Sequence, residues 1–229
     1  MGQRHQIYVM LPEEAARDGK RIIGIHHQWL YGHTAVRMAE RFLTFVNKAD
    51  RNHHPFARGW EPQIDMLKSI YSCDPDEGYY HNVHILEDGE PEDPRMGDNN
   101  DGITVFDLRN LGKKRGKISY CFSTLYEHDV EREPAYMGIV PFTPLSARQY
   151  CRLYYPEHVD EVRKPGFAII RNADGTENEP ENRVRRLERF HTPVMTPKAL
   201  HGIWPNVFPA PAPPRPPLRL VLPDLGDSP

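Results

Sequence analysis

The sequence has little cysteine, no long apolar run and no block of positive charge, and each lack closes off a class of protein. Its 229 residues include three cysteines, Cys73, Cys121 and Cys151, far apart and in no CxxC pair. An odd, scattered set of this kind supports neither a disulfide framework nor a zinc knuckle and predicts a reduced environment. No stretch approaches the roughly 18 to 20 apolar residues of a membrane span. The apolar run near the start, Ile7 to Leu11, is too short for the core of a signal peptide, and Gln6 breaks the myristoylation pattern that would follow Gly2. The expectation is a cytoplasmic protein with no membrane partner. HExxH, GxSxG and internal repeats are also missing. No cofactor is therefore expected, and no catalytic residue is assigned.

What the chain does have is proline, 23 residues of it, and nine of these fall between Pro205 and Pro229. The division predicts one globular domain over 1–204 and an extended, polyproline-type arm over 205–229. Within the arm Pro214, Pro217 and Arg219 fit a PxxPxR ligand pattern, and Leu218, Leu220, Val221 and Leu222 give it an apolar end. Such an arm is expected to dock on a protein partner or on a second copy of the chain. Charge is uneven as well. The net value is −3, yet Glu87, Asp88, Glu90, Glu92, Asp93, Asp98 and Asp101 crowd one stretch against a single base, Arg95.

Arg4 to Leu11 and Arg21 to Leu30 are rich in β-branched and aromatic residues, and a polar loop with Asp18-Gly19 separates them. They read as two antiparallel strands of a long hairpin. Alternation places His5, Ile7 and Val9 with Ile23, Ile25 and His27 on a buried face. Arg4, Gln6 and Tyr8 then share the other face with His26 and Gln28, expected to be the wet side. From His33 to Asp50, Ala35, Met38, Ala39, Phe42, Phe45, Val46 and Ala49 make a helical stripe, with Arg37, Glu40, Arg41, Thr44 and Lys48 opposite and Thr34 as the N-cap. A second helix is expected around Pro62 to Tyr71. Strands follow at Tyr79 to Leu86, Ile103 to Leu108, Lys117 to Thr124 and Tyr136 to Phe142. A helix over Pro144 to Tyr155 is capped by Thr143, and an Arg-rich segment runs from Arg183 to Phe190. Strands and helices mix without strict βαβ alternation, so the fold class expected is α+β with a mostly antiparallel sheet.

Twelve histidines invite a metal reading, but adjacent strand residues such as His26 and His27 point to opposite faces, and hydrogen-bonded histidines are the simpler account. No metal ligand is therefore assigned. Asp98 to Gly102 fails the calcium-loop register and reads as a turn into a strand. Gly112 to Lys117 has one residue too few for a phosphate loop and lacks the Ser or Thr after the lysine. Cys121, on a strand with no elbow, reads as a buried filler.

The candidate ligand-binding set is Arg4, Gln6, His26 and Gln28. Two paired strands bring these donors and an imidazole into one patch suited to an anion, an amide or a nucleotide. Met1-Gly2-Gln3-Arg4 followed by a strand, and a second strand closing on Gln28-Trp29-Leu30-Tyr31-Gly32 before a helix, resembles small phage and mobile-element proteins that begin Met-Gly-x-Arg. Leu30 stands where their pattern has an acid, and the likeness covers about the first fifty residues. It implies a phage-type origin and hence host cytoplasm or virion. The function expected is a phage-type accessory or structural protein that binds protein partners through a sheet face and the arm. The alternative is a hydrolase or nucleotidyl-type enzyme, with Arg4, His26 and Asp107 on a small anionic substrate. A third reading is nucleic-acid binding through Lys113, Lys114, Arg115 and the Arg183 to Arg189 segment.

Overall fold

A computed structural model describes residues 4–16, 20–28, 30–48, 60–74, 79–80, 83–86, 93–95, 102–111, 117–125, 142–159 and 169–211. The expected hairpin forms as drawn. β1 (Arg4–Met10) pairs antiparallel with β2 (Ile22–Gln28), with Ile7 opposite Ile25 and Val9 opposite Ile23. α1 (Gly32–Lys48) and α2 (Trp60–Ser72) follow, then a two-stranded ribbon of β3 (Cys73–Asp74) and β4 (Tyr79–Tyr80). β5 (Val83–Ile85), β6 (Ile103–Asp107) and β7 (Ser119–Ser123) complete a five-stranded sheet in the order β5-β2-β1-β6-β7. α3 (Ala147–Tyr154), α4 (Glu179–Glu188) and α5 (Pro197–Ile203) end the ordered elements.

The class is α+β, but the sheet is mixed, which corrects the mostly antiparallel one expected. β1 runs parallel to β6, and β6, next in sequence after β5, lies on the opposite side of β2 and β1 from it. A parallel pair in mid-sheet is normally buried on both faces. That holds here: residues 5–10 of β1 and all of β6 are buried. One face carries Ile7, Val9, Ile23, Ile25, Phe106 and Phe122, packed under α1, α2, α3 and α4. The other carries Tyr8, Met10, Ile103, Val105 and Cys121, packed under Met195, Leu200, Trp204 and Phe208. Among the described residues this packing reaches Phe208.

Local expectations hold where spacing alone decides them. Ala35, Met38, Ala39, Phe42 and Val46 are buried along α1. Two caps move. Thr34 lies inside α1, whose first bonds run from Thr34 and Ala35 N–H to the Tyr31 carbonyl. Ser146, not Thr143, caps α3 through a reciprocal box with Gln149. The strand expected over Tyr79 to Leu86 splits between the ribbon and the main sheet. Gly102, at φ +96°, is required by close approach, since a Cβ there would sit 2.5 Å from the Ser123 carbonyl oxygen. The strand expected at Tyr136 to Phe142 and the arm beyond residue 211 lie, wholly or nearly so, outside the described residues. Among the described residues no helix is long and apolar enough to cross a membrane.

Candidate functional site

The four residues first singled out are brought to neighbouring register positions, Arg4 beside Gln28 and Gln6 beside His26. The face they were expected to share is not wet, however. Gln6 and Tyr8 are fully buried, and the Tyr8 hydroxyl donates to Gln6 Oε1 at 2.5 Å. Trp204 meets Tyr8 edge-on at 5.2 Å between ring centroids, so the segment with α5 roofs this side. His26 and Gln28 are half-buried, and the Arg4 side chain lies outside the described residues. Asp107 does not join them. It pairs with Met10 at the far end of β1, six residues from Arg4 and so about 20 Å along the strand. Its carboxylate is held by the Arg109 guanidinium at 2.7 and 2.9 Å and by the Arg109 N–H at 3.1 Å. Lys113, Lys114 and Arg115 lie outside the described residues.

The buried face holds its histidines as polar core members. His5 Nε2 lies 2.7 Å from Thr104 Oγ1, and the Tyr150 hydroxyl is 3.3 Å from its Nδ1. His27 sits between the carbonyl oxygens of Gln28 and Tyr71, at 2.9 and 3.2 Å. Among the described residues no group of three or more His, Cys, Asp or Glu could hold a metal ion. Cys121 and Cys151 are buried, and burial pushes both thiols well above their ordinary range, so neither is a ready nucleophile.

A different place gathers charge around a cavity. α4 turns Val184 and Leu187 to the core and packs on the side of α1 that the sequence pattern had marked as polar. Arg37 is therefore only 3% exposed, and Glu40, Arg41 and Thr44 are half-buried. The two helices and α2 border a pocket of about 490 Å³ that is open to solvent. Among the described residues Arg37, Arg41 and Arg183 line it with one carboxylate, Glu40, and with Phe45 and Ile70 as apolar wall. Burial raises the Glu40 carboxyl above its usual range although Arg186, Arg183, Arg189 and Arg37 pull it down. Glu179 behaves oppositely. Burial works against its charge, but the Arg183 hydrogen bonds at 3.0 and 3.3 Å, with His33 and Arg37 nearby, hold it below the usual range.

At the start of α1 this seam becomes aromatic. His33 Nε2 lies 3.9 Å from Glu179 Oε2, and the His33 and Tyr155 rings are 5.1 Å apart. Tyr31 and Tyr154 follow at 6.0 Å, and all four rings are half-buried. Gly32 makes the junction possible. It sits at φ +50°, and a Cβ there would come within 2.8 Å of the Tyr155 ring. Sequence reasoning marked the Arg37 face and the Arg183 segment separately. The one usable signal was that both present arginines at helical spacing; their meeting is a property of the fold. Compared with protein-family models, with curated proteins and with solved structures, the chain matches none.

Proposed function

We propose that the chain is an interaction protein that takes a phosphate-bearing ligand in the cavity between α1 and α4. The observation that carries this reading is three guanidinium groups, Arg37, Arg41 and Arg183, around a pocket where Glu40 is the one carboxylate among the described lining residues and burial raises its carboxyl. Arginine presents a planar fork of N–H donors that matches two oxygens of a phosphate. A volume of about 490 Å³ lies within the range of ligand sites, roughly 300 to 1,000 Å³. The reading keeps the accessory, phage-type class expected from the first residues. It moves the working surface from the sheet face, where Gln6 and Tyr8 are buried, to the helical seam.

The test is titration of the full chain with inorganic polyphosphate, followed by calorimetry and by the shift in melting temperature. Saturable binding is expected, weakened at least about tenfold by Arg41→Gln with Arg183→Gln. No binding by the parent chain, or equal binding by the double variant, would overturn the proposal.

A further inference from the structure

We infer that the ligand of this cavity is a single-stranded nucleic acid, its phosphates on the arginines and a base against the tyrosine cluster at the start of α1. The inference rests on the phosphate reading above and names the ligand class. Its ground is continuity. His33 precedes Arg37 by one helical turn and Arg41 by two, so the three lie along one side of α1 over about 12 Å. Glu179 ties the two ends, touching His33 through one oxygen and Arg183 through the other. The aromatic end and the cationic end thus lie along one side of α1 with Glu179 between them, about two nucleotides apart.

The chemistry of the two ends separates single strands from other polyanions. Inorganic polyphosphate and heparin-like chains have charge but no ring to stack. A duplex presents its phosphates but keeps its bases inside. Of these polyanions the unpaired strand alone offers both, and stacking on tyrosine is tolerant of sequence because every base has an aromatic face. Tyr31, Tyr154 and Tyr155 are each half-buried, Tyr154 and Tyr155 resting against the core, and a tyrosine hydroxyl lets such a residue stand at a wet surface. Burial raises the Tyr155 hydroxyl, with Tyr31 adding to it, so this ring stays neutral at physiological pH.

The experiment uses fluorescence anisotropy with a labelled oligothymidylate of about twelve nucleotides, the same length of duplex, and unlabelled polyphosphate and poly-glutamate as competitors. The single strand is expected to bind more tightly than the duplex, with affinity falling as salt rises. Tyr154→Leu with Tyr31→Leu is expected to weaken the single strand about tenfold while leaving polyphosphate unchanged. Tyr154→Phe with Tyr31→Phe, which keeps the rings, restores it. Arg41→Gln weakens every anion and lowers the salt slope by about one. Equal binding of strand and duplex, or a leucine pair that binds the single strand normally, would overturn the inference and leave the phosphate reading standing. So would polyphosphate binding without nucleic-acid binding, or poly-glutamate outcompeting the strand. If no anion binds, both readings fail. Circular dichroism of the leucine pair separates lost stacking from lost folding, and the phenylalanine pair keeps the test decisive should the leucine pair unfold.

Discussion

On one side of the central sheet lie four helices; on the other lie a helix of seven residues and the turn after it. The helical side is bound to itself as well as to the sheet. Arg148 of α3 reaches Glu181 and Glu188 of α4 through bonds of 2.8 to 3.1 Å, with Arg148 and Glu181 almost wholly buried. The roof side has no such network among the bonds described. It closes by shape, with Trp204 against Tyr8 and Phe208 and with Met195 sulfur 3.8 Å from Cys121. A layer of several helices has an outer seam of its own, and the arginine-lined cavity lies in that seam. A layer one short helix thick has room only to shut out water. The difference explains why the polar strand residues became core while the polar helix residues became a site.

The comparison can be broken most forcefully at Arg148. Burial works against its charge, but the hydrogen bonds it donates to Glu188 and Glu181 hold its proton more tightly than usual. Arg148→Met takes the guanidinium away from the buried Glu181 carboxylate and is expected to cost about 3 to 5 kcal/mol in urea unfolding, with Glu181→Leu added to it recovering most of the loss. Trp204→Ala comes next, at about 3 kcal/mol for a buried aromatic. The two buried thiols report which layer loosens, since Cys151 lies in the helical layer and Cys121 under the roof. In a Cys73→Ser background, Trp204→Ala should speed labelling of Cys121 only, and Arg148→Met that of Cys151 first. Equal acceleration of both thiols by either variant would dissolve the distinction.

Smaller effects sharpen it. The Thr196 hydroxyl accepts from Ala199 N–H at the start of α5, so Thr196→Ala should cost about 1 kcal/mol and act on the roof alone. Glu40→Gln is the mildest. Because the folded protein raises the Glu40 carboxyl, its stabilising share is complete below the ordinary value and is lost as pH rises through the raised one. The variant should therefore equal the parent in acid and be slightly more stable at neutral pH. It should also bind polyphosphate about threefold more tightly there, having lost the carboxylate of Glu40 from the pocket. Melting curves at several pH values and one titration check both parts.

The sequence was most legible where a repeat spacing decides the outcome. The stripe from Ala35 to Val46 gave α1, and alternation gave the register that sets Ile7 against Ile25. It was least legible where a residue's fate depends on a distant element. Gln6 and Tyr8 carry nothing local that forecasts a roof made by Trp204 and Phe208, though Leu200, Trp204 and Phe208 at four-residue steps were a signal within reach. The cavity was still less visible. Arg37 and Arg41 read as an ordinary solvated helix face until α4 is laid across them.

The parallel pairing of β1 with β6 also sets a timetable. His5 waits for Thr104, 99 residues later, and for Tyr150, 145 residues later. At about 5 to 20 residues per second of synthesis, that interval is on the order of ten seconds. During it the hairpin of β1 and β2 can close, but the edge of β1 that will receive β6 has nothing to pair with. An open edge rich in Ile, Tyr and Val invites strands from other nascent chains. The centre of the finished sheet is thus the flank most in need of shielding while the chain is being made, and crowding of translating ribosomes is where its yield would first suffer.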